Sequence, residues 1–406
     1  MPRRLSRAEF VALMAMLFAT IAFSIDAMLP ALPEIADELT PDAPNRAQLI
    51  ITSFVLGMGI GTLFTGPLSD AYGRKPVIIG GAVIYIIASG LAWAANSLEL
   101  MLAARVLQGL GVAGPRVVAL AIVRDLYEGR GMAQLMSFVM MVFTLVPAVA
   151  PAIGAGIIAV AGWRAIFAAF VLFSLISVGW LALRQEETLP IEKRRPFKLT
   201  VLAAGVSEVV RNRQVMLTIV VIGLSFGILF STLVSTQPVF DVLFDRGDTF
   251  HWWFALIALI AAFGSVLNAR IVMQLGMRRV ASLSFLAQGF AAAAMLVVAA
   301  MAQWQAPWAF GFYVGWTASV FFMAGLTIGN LNALALVPMG HIAGMAASIV
   351  GAISTIGGVA IAAPVGLAFD GTPLPAALGV LICTTAAYLI TRQLGDPAPT
   401  PVTERT

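Results

Sequence analysis

Cysteine and histidine are almost absent from this sequence of 406 residues. Cys383 is the only cysteine, which excludes both a disulfide framework and a cysteine-ligated metal site. The two histidines, His251 and His341, are too isolated in the sequence to predict metal ligation. We therefore expect no resident metal and no cofactor.

Charged residues are also scarce, at 11% of the chain, whereas hydrophobic residues make up 60%. The mean hydropathy of +0.95 lies far above that of soluble globular domains, so the composition predicts a membrane protein. The sequence contains neither a P-loop nor a catalytic triad pattern, and we expect neither an enzyme nor an ATP-driven pump. The run GLGVAG at 109–114 matches a dinucleotide-binding pattern. It lies inside an apolar run without a preceding strand, so we do not expect it to bind a nucleotide.

Long apolar runs with few charges fill most of the chain. A helix needs about 20 apolar residues to cross the hydrocarbon core of a bilayer. Twelve such windows are present, at 10–31, 47–67, 76–95, 99–123, 132–159, 163–183, 214–237, 251–273, 279–301, 306–329, 343–367 and 372–392. The sequence therefore predicts an all-α membrane protein with twelve transmembrane helices.

Basic residues are divided unevenly between the two sets of connecting loops. Of the 24 Lys and Arg residues, eighteen fall on one side, three fall within spans, and only Arg46, Arg164 and Arg246 fall on the other side. Basic loops stay in the cytoplasm, so both termini are expected there, in a bacterial inner membrane. The net charge of +4 then reflects topology rather than nucleic-acid binding.

The longest connection divides the spans into two groups of six. It begins with the segment RQEETLPIEKRRPFK at 184–198. We expect an N-terminal six-helix bundle at 1–183, a cytoplasmic linker at 184–213 and a C-terminal six-helix bundle at 214–406. Transporters built from two repeated halves place the substrate path between the halves.

Ionisable groups inside a membrane span cost about 2.5–3.5 kcal/mol each on insertion scales, so each is a functional candidate. Asp26 is the only acid in a span interior, and Arg105 and Arg116 both lie in the fourth span. Arg105, Gln108 and Arg116 are spaced to share one helix face, which we expect to line an aqueous cavity. Asp26, Gln108 and Arg116 are the candidates for the substrate path.

Asp26 and Arg105 are expected at a similar depth, about five and six residues from the outer ends of their spans. If the two spans adjoin, Arg105 keeps Asp26 ionised when it is close and lets Asp26 take up a proton when it moves away. The alternative is a static pair, or a carboxylate bonded to nearby backbone. The residues alone leave these interpretations open.

Several segments resemble signatures of the major facilitator superfamily. GPLSDAYGRKP at 66–76 is similar to the superfamily's loop 2–3 signature, and RVLQGLGVAG at 105–114 is similar to its span 4 signature. VPAVAPAIGAGI at 146–157 resembles the span 5 pattern of its antiporters, with Ala150-Pro151 in place of the usual Gly-Pro pair. With IDAMLPALPEIADEL and IVRDLYEGRGMAQLMS, the chain most resembles drug/proton antiporters of the bicyclomycin and chloramphenicol resistance type.

This resemblance implies the major facilitator fold and a proton-coupled multidrug efflux antiporter that works by alternating access. It implies that Arg105 is the proton-coupling arginine and that Asp26 alternates between proton and drug. It also implies a cytoplasmic latch in which Asp70 faces the start of span 11 and Arg74 pairs with Asp125. The latch residues are Gly66, Asp70, Gly73, Arg74 and Asp125, and the residues of a bent, closely packed antiporter helix 5 are Pro147, Pro151, Gly154 and Gly156.

Arg116 departs from the family pattern, which has a small or apolar residue at that position. Either Arg116 binds an anionic or neutral substrate, or it pairs internally. A proton-coupled metabolite symporter of the same fold is the alternative function, and a non-transporting membrane receptor or scaffold is a further one. The expected partners are small amphipathic drug-like substrates, protons and the lipid bilayer, with the protein a monomer.

Overall fold

The computed structural model describes residues 5–127, 129–301 and 303–395. These residues are largely helical, and they contain no β-strand. The helices of the first half are α1 (Arg7–Asp26), α2 (Leu32–Leu39), α3 (Leu49–Tyr72), α4 (Arg74–Trp93), α5 (Leu98–Leu126), α6 (Gly129–Ala161) and α7 (Ala165–Arg184). Those that follow are α8 (Leu199–Arg211), α9 (Arg213–Pro238), α10 (Phe250–Leu275), α11 (Met277–Met301), α12 (Ala309–Leu336), α13 (Ala343–Leu367) and α14 (Leu374–Thr391).

Eleven helical stretches of the described residues are long and apolar enough to cross a bilayer. The longest, Ala309–Leu367, contains α12 and α13, which are separated at Val337–Ile342 by a turn in which Met339 is not helical. Dividing this stretch gives twelve crossing helices in two six-helix bundles, one before α8 and one after it. The predicted fold class is therefore confirmed, whereas the limits 1–183, 184–213 and 214–406 stay a prediction.

Two helix ends differ from the sequence prediction. α1 ends at Asp26 rather than near residue 31, because Pro30 has no N–H to donate to the carbonyl of Asp26 four residues earlier. α3 continues through Pro67 to Tyr72, so most of the expected loop at 66–76 is helical. Gly73 alone turns the chain into α4, with a φ of +105° that residues with a side chain rarely adopt.

Close packing of α3 against α5 depends on glycine. A Cβ added at Gly109 would lie 2.0 Å from the carbonyl oxygen of Phe54, and one added at Gly57 would lie 2.0 Å from that of Val106. The two backbones are therefore in direct contact, as small residues allow between membrane helices. This contact sets how deeply the side chains of α5 reach into the first bundle.

Contacts between helix ends distinguish the two faces of the molecule. Arg7 at the start of α1 donates to Gln134 in α6, and Glu9 pairs with Arg184 at the end of α7 at 2.9 Å. These helix ends therefore lie together, on the side where most basic connections fall. We call this side the basic face and the other side the opposite face.

The two halves pack together along α3 and α13. At the opposite face, the Asn45 side-chain amide donates to the carbonyl oxygens of Leu367, at 3.2 Å, and Phe369, at 2.7 Å. Leu367 ends α13, so Asn45 satisfies a carbonyl that a helix end leaves unpaired. Nearer the basic face, a Cβ at Gly66 would lie 2.8 Å from Ser348 Oγ of α13. The halves are thus in contact from one face almost to the other.

Candidate functional site

Asp26 is the last residue of α1 and is only 6% exposed. Within the part of the chain that the structure describes, no basic side chain forms an ion pair with it. The carbonyl end of a helix carries partial negative charge, so this position offers no stabilisation to an anion. The buried carboxyl group of Asp26 therefore lacks the partners that stabilise an ionised carboxylate away from water.

Arg105 of α5 is fully buried and is held by neutral acceptors. Its Nε donates to Ile50 O at 3.2 Å, its Nη2 to Ser24 O at 3.0 Å, and its Nη1 to Gln108 Oε1 at 2.9 Å. The guanidinium carbon also lies 4.5 Å from the centre of the Phe54 ring, a cation–π contact. The donors of Arg105 are thus shared among α1, α3 and α5.

Asp26 and Arg105 lie at neighbouring levels without forming an ion pair. The Arg105 bond to α1 reaches the carbonyl of Ser24, two residues before Asp26. A direct pair would require Arg105 to leave Ser24 or α1 to move against α5. The static pair is therefore not the arrangement in this structure, and the exchange role of both residues stays a prediction.

A chain of hydrogen bonds links Gln108 back to α1 through α4. Gln108 Nε2 donates to Ser89 Oγ at 2.7 Å, and Ser89 Oγ donates to Tyr85 O at 2.7 Å. The Tyr85 hydroxyl and Ser24 Oγ share a hydrogen bond of 2.6 Å. Sequence analysis missed Ser24, Tyr85 and Ser89, because single hydroxyl groups in apolar spans form no pattern. Their only signal is a depth close to that of Arg105.

α6 reaches the end of α1 at Gly154. A Cβ there would lie 2.2 Å from the carbonyl oxygen of Ala27, whereas Gly156 has open space around it. Pro147 and Pro151 both lie inside α6, where each removes a backbone donor. The helix predicted to be closely packed is thus in backbone contact with the turn that ends α1.

Arg116 lies eleven residues after Arg105 on α5 and is partly exposed. Its Nη1 lies 3.9 Å from Met58 Sδ of α3. Among the described residues, no carboxylate forms an ion pair with it. Arg116 is thus separate from the hydrogen-bonded network around Arg105.

Arg74, the first residue of α4, gathers three groups at the basic face. Its Nε lies 3.0 Å from Asp125 Oδ2 near the end of α5. Its Nη1 donates to the Asp70 carboxylate and, at 2.9 Å, to Ser69 Oγ. The structure therefore brings Asp70, Arg74 and Asp125 together, while their role as a latch stays a prediction.

The segment between α7 and α8 adds a carboxylate to this cluster that sequence analysis missed. Glu187 Oε1 accepts from Arg74 N at 2.9 Å, and Glu187 Oε2 accepts from Lys75 N at 3.0 Å. Both N–H groups belong to the first turn of α4, where a helix leaves its backbone donors unpaired. A negative charge is stabilised at this end of a helix. Glu187 is one of three glutamates in the segment at 184–198, and nothing in the sequence distinguishes it as the one that makes this contact.

Two further bonds fix the same segment to the first half. Thr188 Oγ1 donates to Asp125 Oδ2 at 2.8 Å, and Arg195 N donates to Asp70 O at 2.9 Å. The helix that follows, α8, packs against α13 of the second half. The residues between these contacts, 196–198, therefore connect a part held by one half to a part held by the other.

The family model described as Major Facilitator Superfamily matches residues 12–364, a range that begins in α1 and ends in α13. The chain belongs to the major facilitator superfamily. Its relatives in this superfamily are transporters, so the chain is a membrane transporter rather than an enzyme.

Relatives within the superfamily carry names that state drug resistance. The chain is 29% identical over 347 residues to the bicyclomycin resistance protein homolog of Haemophilus influenzae, covering 85% of each chain. It is 30% identical over 379 residues to the multidrug resistance protein MdtL of Citrobacter koseri, covering 90% of each chain. The family and the drug-resistance branch predicted from the sequence segments are therefore confirmed.

A solved structure, the D-xylose-proton symporter, matches the chain with a TM-score of 0.72 at 16% identity. The match covers 96% of this chain and 98% of the symporter. At this identity the match shows the shared major facilitator fold alone.

Gly154→Ala is expected to impair this major facilitator protein. The added methyl group meets Ala27 O, so α6 must move away from the turn after α1, at a cost of about 1–3 kcal/mol. Thermal unfolding of the purified protein and its transport rate measure the effect. Gly156→Ala, in the same helix with open space, is the matched control and should lower neither quantity, because alanine favours a helix over glycine by about 1 kcal/mol. Equal behaviour of the two variants would contradict a close contact at Gly154.

Glu187→Gln is expected to loosen the first turn of α4. The amide replaces one of the two accepting oxygens by an NH2 group, which faces a backbone donor, so about 1 kcal/mol of capping stability is lost. Hydrogen–deuterium exchange of the peptide that begins at Arg74 should then be about fivefold faster. Glu186→Gln, at an exposed neighbour, is the control and should leave this exchange unchanged. Unaltered exchange in the Glu187 variant would rule out the cap.

Proposed function

We propose that this major facilitator protein is a proton-coupled exporter of amphipathic drug-like molecules that works by alternating access. The names of its relatives, which state resistance to bicyclomycin and to multiple drugs, support the substrate class. The observation that carries the proposal is the buried carboxyl group of Asp26, which has no basic partner among the described residues. Arg105 of α5 is nearby and donates to Ser24 O, on the same helix as Asp26.

Asp26 supplies the proton-binding group. An ionised carboxylate is destabilised away from water, so Asp26 holds a proton while Arg105 stays on Ser24 O. The proton leaves when Arg105 moves toward the carboxylate or when water reaches it, because both stabilise the ionised form. Substrate bound beside Asp26 competes with this protonation, and the competition couples the two movements.

One exchanged proton is the simplest stoichiometry, since Asp26 is the only acid in a span interior. The membrane potential contributes about 2.3 kcal/mol per charge for each 100 mV, which sustains a modest substrate gradient. We assign the basic face, with both termini, to the cytoplasm of a bacterial inner membrane, because basic loops are retained there. The protein acts as a monomer surrounded by lipid.

Alternating access requires each face to open in turn. The Asn45 bonds to the end of α13 join the halves at the opposite face. The cluster of Arg74, Asp70, Asp125 and Glu187 organises the first half at the basic face. Rocking of one bundle against the other breaks the Asn45 bonds and lets substrate leave at the opposite face.

Export and its proton dependence are measured by substrate accumulation in cells expressing the chain, with and without a protonophore. Expression should lower accumulation of at least one compound from a panel of cationic, neutral and anionic drugs, and the protonophore should abolish the effect. Accumulation that rises with expression would instead indicate an uptake symporter. Accumulation that is unchanged for every compound would overturn the exporter proposal.

Asp26→Asn should abolish proton-driven export while the protein still folds and inserts, because the amide cannot bind or release the proton. Asp42→Asn, at an exposed acid outside the spans, is the matched control and should export normally. Membrane abundance and size-exclusion profiles of both variants establish that they are folded. Full proton-coupled export by the Asp26 variant would exclude Asp26 as the coupling acid.

Asn45→Ala should favour opening of the opposite face, because it removes two hydrogen bonds between the halves. In a Cys383→Ala background, Thr52→Cys places a label site at a buried position of α3. An impermeant maleimide added outside the cell should label this site about fivefold faster in the Asn45 variant. Asn96→Ala, at an exposed asparagine outside the spans, is the control. Equal labelling of the two variants would contradict the proposed closure.

A further inference from the structure

Arg105, Arg116 and Arg270 lie within the predicted spans, and the proton-coupling proposal uses only Arg105. Arg270 is exposed and lies about one turn from the basic end of its span, which leaves the deeper Arg116. It lies on α5, seven residues before the predicted end of its span at residue 123 and about 10 Å from that end. That distance exceeds the reach of an arginine side chain, so the charge cannot simply extend to the water at the basic face. Arg116 therefore needs either a partner or a water-filled space at its own level.

The structure gives Arg116 no charged partner among the described residues. The sulfur of Met58, 3.9 Å from Nη1, is a weak acceptor. Among the described residues, the fully buried polar atoms without a hydrogen bond do not include any nitrogen of Arg116. Arg116 as a whole is partly exposed, whereas Arg105 and Gln108 on the same helix are fully buried.

Helix geometry directs Arg116 toward the inner side of the first bundle. Eleven residues of helix return Arg116 to within about 20° of the direction of Arg105, about 16 Å nearer the basic face. Arg105 points at Ser24 of α1 and Ile50 of α3. α5 is also in backbone contact with α3 at Gly109 and with α4 at Gly111. Arg116 thus continues the polar stripe that begins at Arg105.

Charge along this stripe is unbalanced. Arg105 and Arg116 carry two positive charges, and Asp26 is the only acid in a span interior. When Asp26 is protonated, both positive charges are without a compensating acid within the spans. A molecule that brings a negative charge to Arg116 would therefore restore the balance at the level where it binds.

We infer that Arg116 is the substrate-binding group for a carboxylate, so that the transporter selects amphipathic molecules carrying a negative charge over plain cations. The guanidinium group presents its free donors in a planar fork, which matches the two oxygens of a carboxylate. The inference rests on the proposed export function and assigns its substrate class. Because Asp26 lies near the opposite end of the stripe, the anion and the exchanged proton occupy separate positions.

Two dyes with the same xanthene core test this assignment. Fluorescein carries a free carboxylate and is anionic, whereas rhodamine 6G has an esterified carboxyl group and is cationic. Binding of each dye to the purified full chain is measured by fluorescence anisotropy. The wild-type protein should bind fluorescein more tightly than rhodamine 6G, and sodium benzoate should displace fluorescein.

Arg116→Gln should weaken fluorescein binding about tenfold or more, because a charged hydrogen bond is lost, and should change rhodamine 6G binding less than about twofold. Arg116→Lys should restore part of the fluorescein affinity, since it keeps the charge but not the fork. Arg270→Gln, at an exposed arginine near the basic face, is the control and should alter neither dye.

Several outcomes would overturn the inference. They are equal binding of the two dyes by the wild-type chain, fluorescein that benzoate does not displace, and an Arg116→Gln variant with unchanged fluorescein affinity. The benzoate competition uses the unmodified protein, so it tests for a carboxylate-binding site even if the Arg116→Gln variant does not fold, and Arg116→Lys then assigns the site to Arg116.

Transport of the dyes into vesicles separates this inference from the proposed function. Proton-driven transport of rhodamine 6G with no transport of fluorescein would leave the exporter proposal intact and reject the role of Arg116. Binding of fluorescein that depends on Arg116, without any proton-driven transport of either dye, would support the site and reject the exporter proposal.

Discussion

A charge buried in a membrane must find a partner or be neutralised, and this constraint explains the arrangement of the first bundle. Arg105 cannot lose its proton, so it gathers the carbonyls of Ser24 and Ile50 and the amide oxygen of Gln108. Asp26 can be neutralised, and it sits without a basic partner among the described residues at the carbonyl end of α1. A side chain that stays charged and one that can be neutralised thus lie at neighbouring levels of the first bundle.

Backbone contacts and the linker connect this pair of residues to the rest of the molecule. Gly154 brings α6 against the turn after Asp26, with no side chain between the two backbones to absorb a movement. At the basic face, Glu187 joins the linker to the start of α4. The turn after Asp26 is thus held within the first bundle, and the linker is held against the same bundle at α4.

The sequence predicted the twelve spans well, because a run of about 20 apolar residues has few stable arrangements other than a membrane helix. It predicted the ends of α1 and α3 less well. Pro30 ended α1 early by removing one donor, whereas Pro67 was accommodated inside α3. The effect of a proline depends on whether neighbouring groups satisfy the freed carbonyl, and no local pattern records those neighbours.

The sequence by itself determined the membrane class, the number of crossing helices, the family and the ionisable residues that lie within spans, since these follow from composition and short motifs. Only the tertiary structure decided which groups are neighbours. Arg105 is hydrogen-bonded to the carbonyl of Ser24, 81 positions away in the sequence. Glu187 caps the start of α4 at Arg74, 113 positions away. Such partners are chosen by the packing of whole helices, which depends on the fit of many small residues rather than on any single motif.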